Sequence, residues 1–293
     1  MLNTVYQLKR PRQFEVVFKK VELDDAHLLV RPTHLSICHA DQRYYQGSRP
    51  DEVLHRKLPM ALIHEGAGRV VYDPTGTYAV GEQVVLIPNL PIEQDAVIAE
   101  NYLSSSSFCA SGRDGFLQEY VQTVPDRVIR LPESVPASVA AFTELVSVSY
   151  HALMRWLQTA HARRKEAAVW GDGNLGYITA LLLHNLCPDM KLYVVGVHEE
   201  KLSYFTFADE TLLAARLEED FAFDHALECV GGAAAQAAIR QMIRHIRPEG
   251  TIGLLGVSEE PVPIDTRMVL EKGLRLVGSS RSGRADYEGL IQL

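Results

Sequence analysis

Cysteine is scarce: Cys38, Cys109, Cys187 and Cys229 are the four in a chain of 293 residues, and they are widely scattered. That spacing excludes a disulfide framework and leaves reduced thiols, of which one or two can act as ligands. Long apolar runs are missing too. No stretch approaches the roughly 18 to 20 apolar residues of a membrane helix, and the opening "MLNTVYQLKRPRQFEV" lacks the apolar centre of a signal peptide. The expectation is a cytoplasmic protein without a membrane partner. Positive charge is thin: the net charge is −8, and the dense basic run "HARRKE" at 161–166 reads as a solvated loop, which argues against a nucleic-acid groove.

A hydrophobic content of 47% with 23% charged residues fits an ordinary globular chain, and the length fits two domains. Over residues 1–145, short β-rich segments such as "FEVVFKKVEL", "HLLVRPTHLSI", "AGRVVYD", "GEQVVLIP" and "GFLQEYVQTV" are separated by Pro and Gly. They predict a compact, mostly β domain. The run "SSSS" at 104–107 predicts a mobile surface loop. From 146 to 283, strand-like runs ("EAAVW", "KLYVVGV", "HALECVG", "TIGLLGV", "LRLVGSS") alternate with helical patterns, as in a parallel sheet covered by helices. In the helix "NLGYITALLLHNL", Ile178, Leu181, Leu182 and Leu186 are expected to form the buried stripe.

Between the first of those strands and that helix lies "GDGNLG", with Gly171, Gly173 and Gly176 at G-x-G-x-x-G spacing around Asn174 and Leu175. In a strand–loop–helix setting this predicts a dinucleotide site: a tight turn, close backbone approach to a pyrophosphate, and close helix–strand packing. An NAD-preferring site would carry Asp or Glu about 20 residues later, at the end of the second strand. Gly196 and Val197 stand there instead, and the first acid, Glu199, comes late. His198 and Lys201 are available to a 2′-phosphate, so NADP(H) is favoured.

The first half also holds Cys38, His39 and Asp41 in "SICHADQRYYQG", His64 and Glu65 in "LIHEGAGRV", and Glu144 in "AFTELVSVSYHA". A catalytic zinc takes three ligands from Cys, His and carboxylate and keeps one position open, and Cys38, His64 and Glu144 satisfy that count. Taken singly, Cys38 can equally be a small buried residue and His64 a core histidine.

The order of "CHADQRYY", "IHEGAGRVV", "GEQVV", "TELVSVSYHA", "GDGNLG", "ECVGGAAAQAAI", "RPEGTIGLLGV" and "LVGSSRSG" resembles the zinc-dependent medium-chain alcohol and polyol dehydrogenases over nearly the whole chain. Longer stretches, "DQRYYQGSRPDEVLHRKLPMALIHEG", "NLPIEQDAVIAENYL" and "LLGVSEEPVPIDTRMVLEKGL", are most similar to the ribulose-5-phosphate reductases (ribitol-5-phosphate dehydrogenases) that feed CDP-ribitol synthesis for teichoic acid or capsule. The resemblance implies an α/β fold: a GroES-like β-rich catalytic domain plus a Rossmann doubly wound parallel-sheet domain. It implies Cys38, His64 and Glu144 as zinc ligands, with Glu65 beside the metal and able to exchange with its water. It makes Asp41 the group that orients His64, and Tyr44 a substrate-side residue. The implied reaction is NADPH-dependent reduction of D-ribulose 5-phosphate, a sugar phosphate whose anionic group would meet Arg43, Arg49 or Arg281.

Ala40 stands where relatives often have Ser or Thr, which leaves the proton relay open between Tyr44, Glu65 and a zinc-bound water. The four-cysteine lobe of many relatives is missing, so one catalytic zinc per chain and no structural zinc are expected. Residues 284–293 read as the start of a return to the catalytic domain in a truncated chain. The resemblance further suggests a homodimer formed through residues 261–278, and association with a cytidylyltransferase that uses the product. Two alternatives stand beside this reading: an NAD-dependent zinc polyol dehydrogenase of the sorbitol or xylitol type, and a non-catalytic nucleotide-binding relative.

Overall fold

β-Branched and aromatic residues between turn residues form the strands of the first part of the chain, where each strand must bury one face and leave the other wet. The computed structural model describes residues 1–132 and 134–293. It divides into Met1–Ser147 with Arg281–Leu293 as one unit and Val148–Ser280 as the other. In the first unit an antiparallel five-stranded sheet runs in the order Val128–Arg130, Gln83–Leu86, Glu65–Tyr72, Leu28–Ser36 and Val121–Thr123. Its inner face supplies Leu28, Val30, Val70, Val84, Leu86 and Val128, which pack with Phe116 and Cys109.

A second sheet pairs Gln13–Lys20, Leu2–Arg10 and Met60–Ala61. Leu8, Tyr44, Leu54, Met60, Leu62 and Ile63 pack together beneath it. The serine run is held more firmly than a mobile loop would be. Ser107–Phe108 pairs with Asn89–Leu90, and the Ser105 and Ser106 hydroxyls donate to Glu93 and to the Glu100 carbonyl.

The second unit is built on six parallel strands in the order Glu210–Leu213, Lys191–Gly196, Glu166–Trp170, His225–Glu228, Thr251–Leu254 and Arg275–Gly278. Numbered within the unit this is 3-2-1-4-5-6, the doubly wound nucleotide-binding order, whose crevice lies at the carboxyl ends of the strands where the order reverses. One face packs Trp156, Val169, Leu183, Val194 and Leu227, and the other packs Trp170, Phe223, Met242, Ile243 and Ile252.

The helix Asn174–Leu186 buries Gly176, Thr179, Ala180 and Leu183, while Leu181 is exposed, so the buried face differs from the expected stripe. The run is apolar nearly all round. Gly176 fixes which side meets the sheet, because only a residue without a side chain lets the helix approach the first strand that closely. No helix among the described residues is long and apolar enough to cross a membrane.

Candidate metal and nucleotide sites

Cys38 caps the amino end of the helix His39–Gln46, with extended backbone, and Asp41 is the third residue of that helix. This spacing lets one carboxylate serve two chain segments. Asp41 Oδ2 accepts from Cys38 N at 3.1 Å and from Cys38 Sγ at 3.2 Å, and Oδ1 accepts from the Ile63 N–H at 2.8 Å. Asp41 therefore reaches His64 through the preceding peptide, with bonds to the backbone. Ile63 adopts a left-handed conformation with φ 72°, an uncommon state for a β-branched residue, which turns the chain just before His64. Glu65 opens the strand Glu65–Tyr72 opposite Ser36, facing inward.

The result is a group of three donors. Cys38 Sγ lies 3.5 Å from His64 Nε2, and a carboxylate oxygen of Glu65 completes a set whose members all lie within 4.8 Å of one another. Glu144, in the first turn of the helix Thr143–Thr159, is not part of that set, although it is buried and the Glu65 charge reaches it. The Phe108 ring meets the His64 ring edge-on at 5.2 Å. The Arg281 guanidinium lies 4.7 Å from the Phe108 ring centroid, and that of Arg49 lies 4.2 Å over the Tyr44 ring.

Burial and like charge dominate the electrostatics of these donors. Burial pushes the Cys38 thiol up, and Asp41 pushes it further. Burial also favours neutral imidazole at His64; Asp41 opposes this, while Arg281 and Arg49 add to it. The Glu65 carboxyl is raised by burial against hydrogen bonds from Ser36 and Cys38, and Glu144 is raised well above its usual range by burial, Glu65 and Asp41. Glu65 Oε2 is buried with no hydrogen-bond partner.

A divalent ion favours the thiolate and carboxylate that burial opposes at Cys38 and Glu65, and it binds the neutral imidazole that burial already favours at His64. Zinc bonds of about 2.3 Å to sulfur and 2.0 Å to nitrogen at a tetrahedral angle separate the two donors by about 3.5 Å. The donor set and its spacing fit zinc.

Tyr44 is buried in the cluster with Leu62 and Ile63, and its hydroxyl has no hydrogen-bond partner. Arg43 lies half-buried on the same helix. Fields from Arg49 and Arg281 both reach His64, so two of the three expected phosphate arginines make its surroundings positive.

In the second unit each loop glycine has its own reason. Gly171 has φ 130°, and a Cβ there would lie 2.9 Å from the Cys229 carbonyl oxygen. A Cβ on Gly176 would lie 2.0 Å from the Gly171 carbonyl oxygen, so close helix–strand packing demands glycine. A Cβ on Gly173 would meet no protein atom within 4 Å, and Gly173 and Asn174 are exposed at the start of the helix Asn174–Leu186. A glycine with nothing of its own protein to avoid leaves room for a ligand's phosphate, at a helix end whose N–H groups suit one. Leu175 turns inward to the core, and Lys201 is exposed in the short helix Glu199–Leu202.

Two organising acids escape the motif reading. Asp172, inside the glycine loop, accepts from the Val197 and His198 N–H groups and from His198 Nδ1. Glu228 accepts from the Val230, Gly231 and Gly256 N–H groups, tying together two loops at the strand ends. The letters D in "GDG" and E in "ECVGG" are visible in the sequence, but periodicity says nothing about which N–H groups they meet.

A cavity of about 800 Å³ in the first unit is lined by Gln7, Lys19, Arg113, Asp114 and Arg127 among others, and by none of Cys38, His64 or Glu65. Asp114 already bonds Gln7 and Lys19, and Arg127 bonds Glu100, so its polar groups are spent on one another.

Comparison with known proteins agrees with this geometry. Residues 24–133 match the alcohol dehydrogenase GroES-like domain, and residues 191–293 match the zinc-binding dehydrogenase family. The chain is 53% identical to ribulose-5-phosphate reductase 1 of Staphylococcus aureus, over 100% of this chain and 86% of that protein. It is 54% identical to the ribulose-5-phosphate reductase of Bacillus spizizenii, over 98% of this chain and 84% of that protein. The crystal structure of S. aureus TarJ in complex with NADPH superposes with a TM-score of 0.87 at 46% identity, covering 100% of this chain and 84% of that one.

Proposed function

The chain belongs to the ribulose-5-phosphate reductase family of zinc-binding, GroES-like dehydrogenases, and on that premise we propose that it reduces D-ribulose 5-phosphate to D-ribitol 5-phosphate, reversibly, with NADPH. The observation that carries the reading is the Cys38–His64–Glu65 donor group, half-buried at Cys38 and His64 and buried at Glu65, with the fields of Arg49 and Arg281 reaching His64. When bound, zinc polarises the substrate's carbonyl oxygen as a Lewis acid and NADPH supplies the hydride to the carbonyl carbon.

Cys38 and His64 would hold the metal with Glu144 and Glu65 as the two carboxylates that can exchange at its remaining positions, Glu65 lying within reach of both in this structure. Asp41 fixes the Cys38 backbone and sulfur and the Ile63 peptide, so both donors stay aimed. Tyr44 is the proton donor to the substrate oxygen, its buried hydroxyl being otherwise unpartnered. Arg49 and Arg281, with Arg43, hold the phosphate by charge-assisted bonds. Gly171, Gly173, Asn174, Leu175 and Gly176 form the pyrophosphate loop, and His198 and Lys201 receive the 2′-phosphate. The protein acts in the cytoplasm as a homodimer paired through residues 261–278, and its product passes to a cytidylyltransferase for CDP-ribitol and teichoic acid or capsule synthesis.

The test is a matrix of D-ribulose 5-phosphate and D-ribulose against NADPH and NADH, with zinc content measured on the same sample. The phosphorylated ketose with NADPH is expected to turn over fastest, at about one zinc per chain. Equal rates on the two ketoses would sink the sugar-phosphate reading.

A further inference from the structure

Resting on the NADPH reading, we propose that Asp172 sets the choice of NADPH over NADH as a positioning residue, acting through Gly196 and His198 without touching the ribose. Its carboxylate does two things. It accepts from the Val197 N–H at 2.8 Å, the His198 N–H at 2.8 Å and His198 Nδ1 at 2.9 Å, all on Oδ2. A carboxylate only accepts, so Nδ1 carries the hydrogen and the opposite ring edge, Nε2, faces outward on a side chain that is 57% exposed. Burial works against the ionised carboxylate, and the three donors outweigh it, which keeps Asp172 charged and its charge locally satisfied.

The second effect is exclusion. Gly196 ends the strand Lys191–Gly196, twenty positions after Gly176, where an NAD site carries its ribose-binding acid. A Cβ at Gly196 would lie 2.8 Å from Asp172 Cβ and Oδ2 and 2.9 Å from Leu202 Cδ2. An acid placed there must displace the Asp172 and Leu202 side chains. Glu199, the first acid beyond the strand, is ion-paired with Arg216 at 3.3 Å.

The experiment measures dissociation constants for NADPH and NADH by calorimetric titration of the whole protein, unmodified and as Asp172→Ala, Asp172→Asn, His198→Ala and the Asp172→Ala/His198→Ala pair. The unmodified protein binds NADPH more tightly. Asp172→Ala is expected to weaken NADPH about ten-fold, the worth of one hydrogen bond to a charged group, with NADH changed less than about two-fold. Asp172→Asn preserves the volume and decides the matter if the alanine variant does not fold; it loses about three-fold in NADPH affinity alone. In the pair, Asp172→Ala adds no loss beyond His198→Ala.

Equal weakening of both cofactors, or additive losses in the pair, overturns the proposal and leaves the NADPH reading standing. An unmodified protein that binds NADH as tightly as NADPH overturns both.

Discussion

At the end of the strand His225–Glu228, the Glu228 side chain receives three backbone N–H groups, whereas Glu65 in the other unit, equally buried at 1% exposure, leaves Oε2 unpartnered. The same contrast recurs between Asp224 and Glu144. Asp224 accepts from the Lys165 and Glu166 N–H groups and from Arg163 and Arg247; burial opposes its ionised form, yet these partners hold its pKa below the usual range. Glu144 is driven the other way by burial and by Glu65. Buried charge is tolerable only when paired, so the saturated Glu228 and Asp224 organise the fold of the second unit, while Glu65 keeps one buried oxygen that a cation can use.

The contrast is broken most forcefully by removing a donor. Cys38→Ala is expected to lower kcat/KM about 1,000-fold, roughly 4 kcal/mol of transition-state stabilisation, with zinc lost in parallel. Full activity in a metal-free Cys38→Ala protein would mean that the cluster is an ordinary polar pocket.

Acid attacks the second unit instead. His225 is buried as a neutral ring: Nδ1 accepts from the Thr251 N–H at 3.2 Å and Nε2 donates to the Arg163 carbonyl at 3.1 Å. Burial, with the neighbouring His161, lowers its pKa to about 4. The unfolded chain binds this proton near pH 6.5, so between about 6.5 and 4 unfolding takes up a proton and stability falls with pH. The contribution is complete above pH 6.5, and about 3 kcal/mol of it is gone by pH 4. Urea midpoints measured across that range should fall in the unmodified protein and fall less in His225→Gln; parallel curves would remove His225 as the cause.

Much of this was legible in the sequence, and what was not has a physical reason. Five of the six parallel strands announce themselves as apolar runs; the sixth, Glu210–Leu213, is a short edge strand with two exposed residues, and edge strands carry little hydrophobic signal. The strand Leu2–Arg10 buries Asn3, Val5 and Leu8, and with a polar residue first and a three-residue step between the other two it shows no apolar alternation that would reveal it. At the metal-type site the residues Cys38, His64 and Glu65 were identifiable, but spacing could not rank Glu65 against Glu144. The placement of Glu65 beside Cys38 and His64 depends on the left-handed turn at Ile63 and the strand pairing of Ser36 with Glu65, both tertiary facts.

A smaller perturbation sharpens the contrast on the saturated side. Glu228→Gln replaces one accepting oxygen with a donor, so at least one of the Val230, Gly231 and Gly256 N–H groups faces another N–H. A loss of about 2 kcal/mol in urea unfolding is expected, with zinc content unchanged.

The mildest change should have the opposite sign. In metal-free protein, Glu65→Gln removes a charge from a place where burial and Asp41 already disfavour it, and the amide can still bond Ser36. Stability of the stripped protein is therefore expected to rise by about 1 kcal/mol, while zinc affinity falls, so the variant gains less from added zinc than the unmodified protein does. If Glu65→Gln destabilises the stripped protein as Glu228→Gln does, Glu65 is one more saturated structural acid and the difference between the two units disappears.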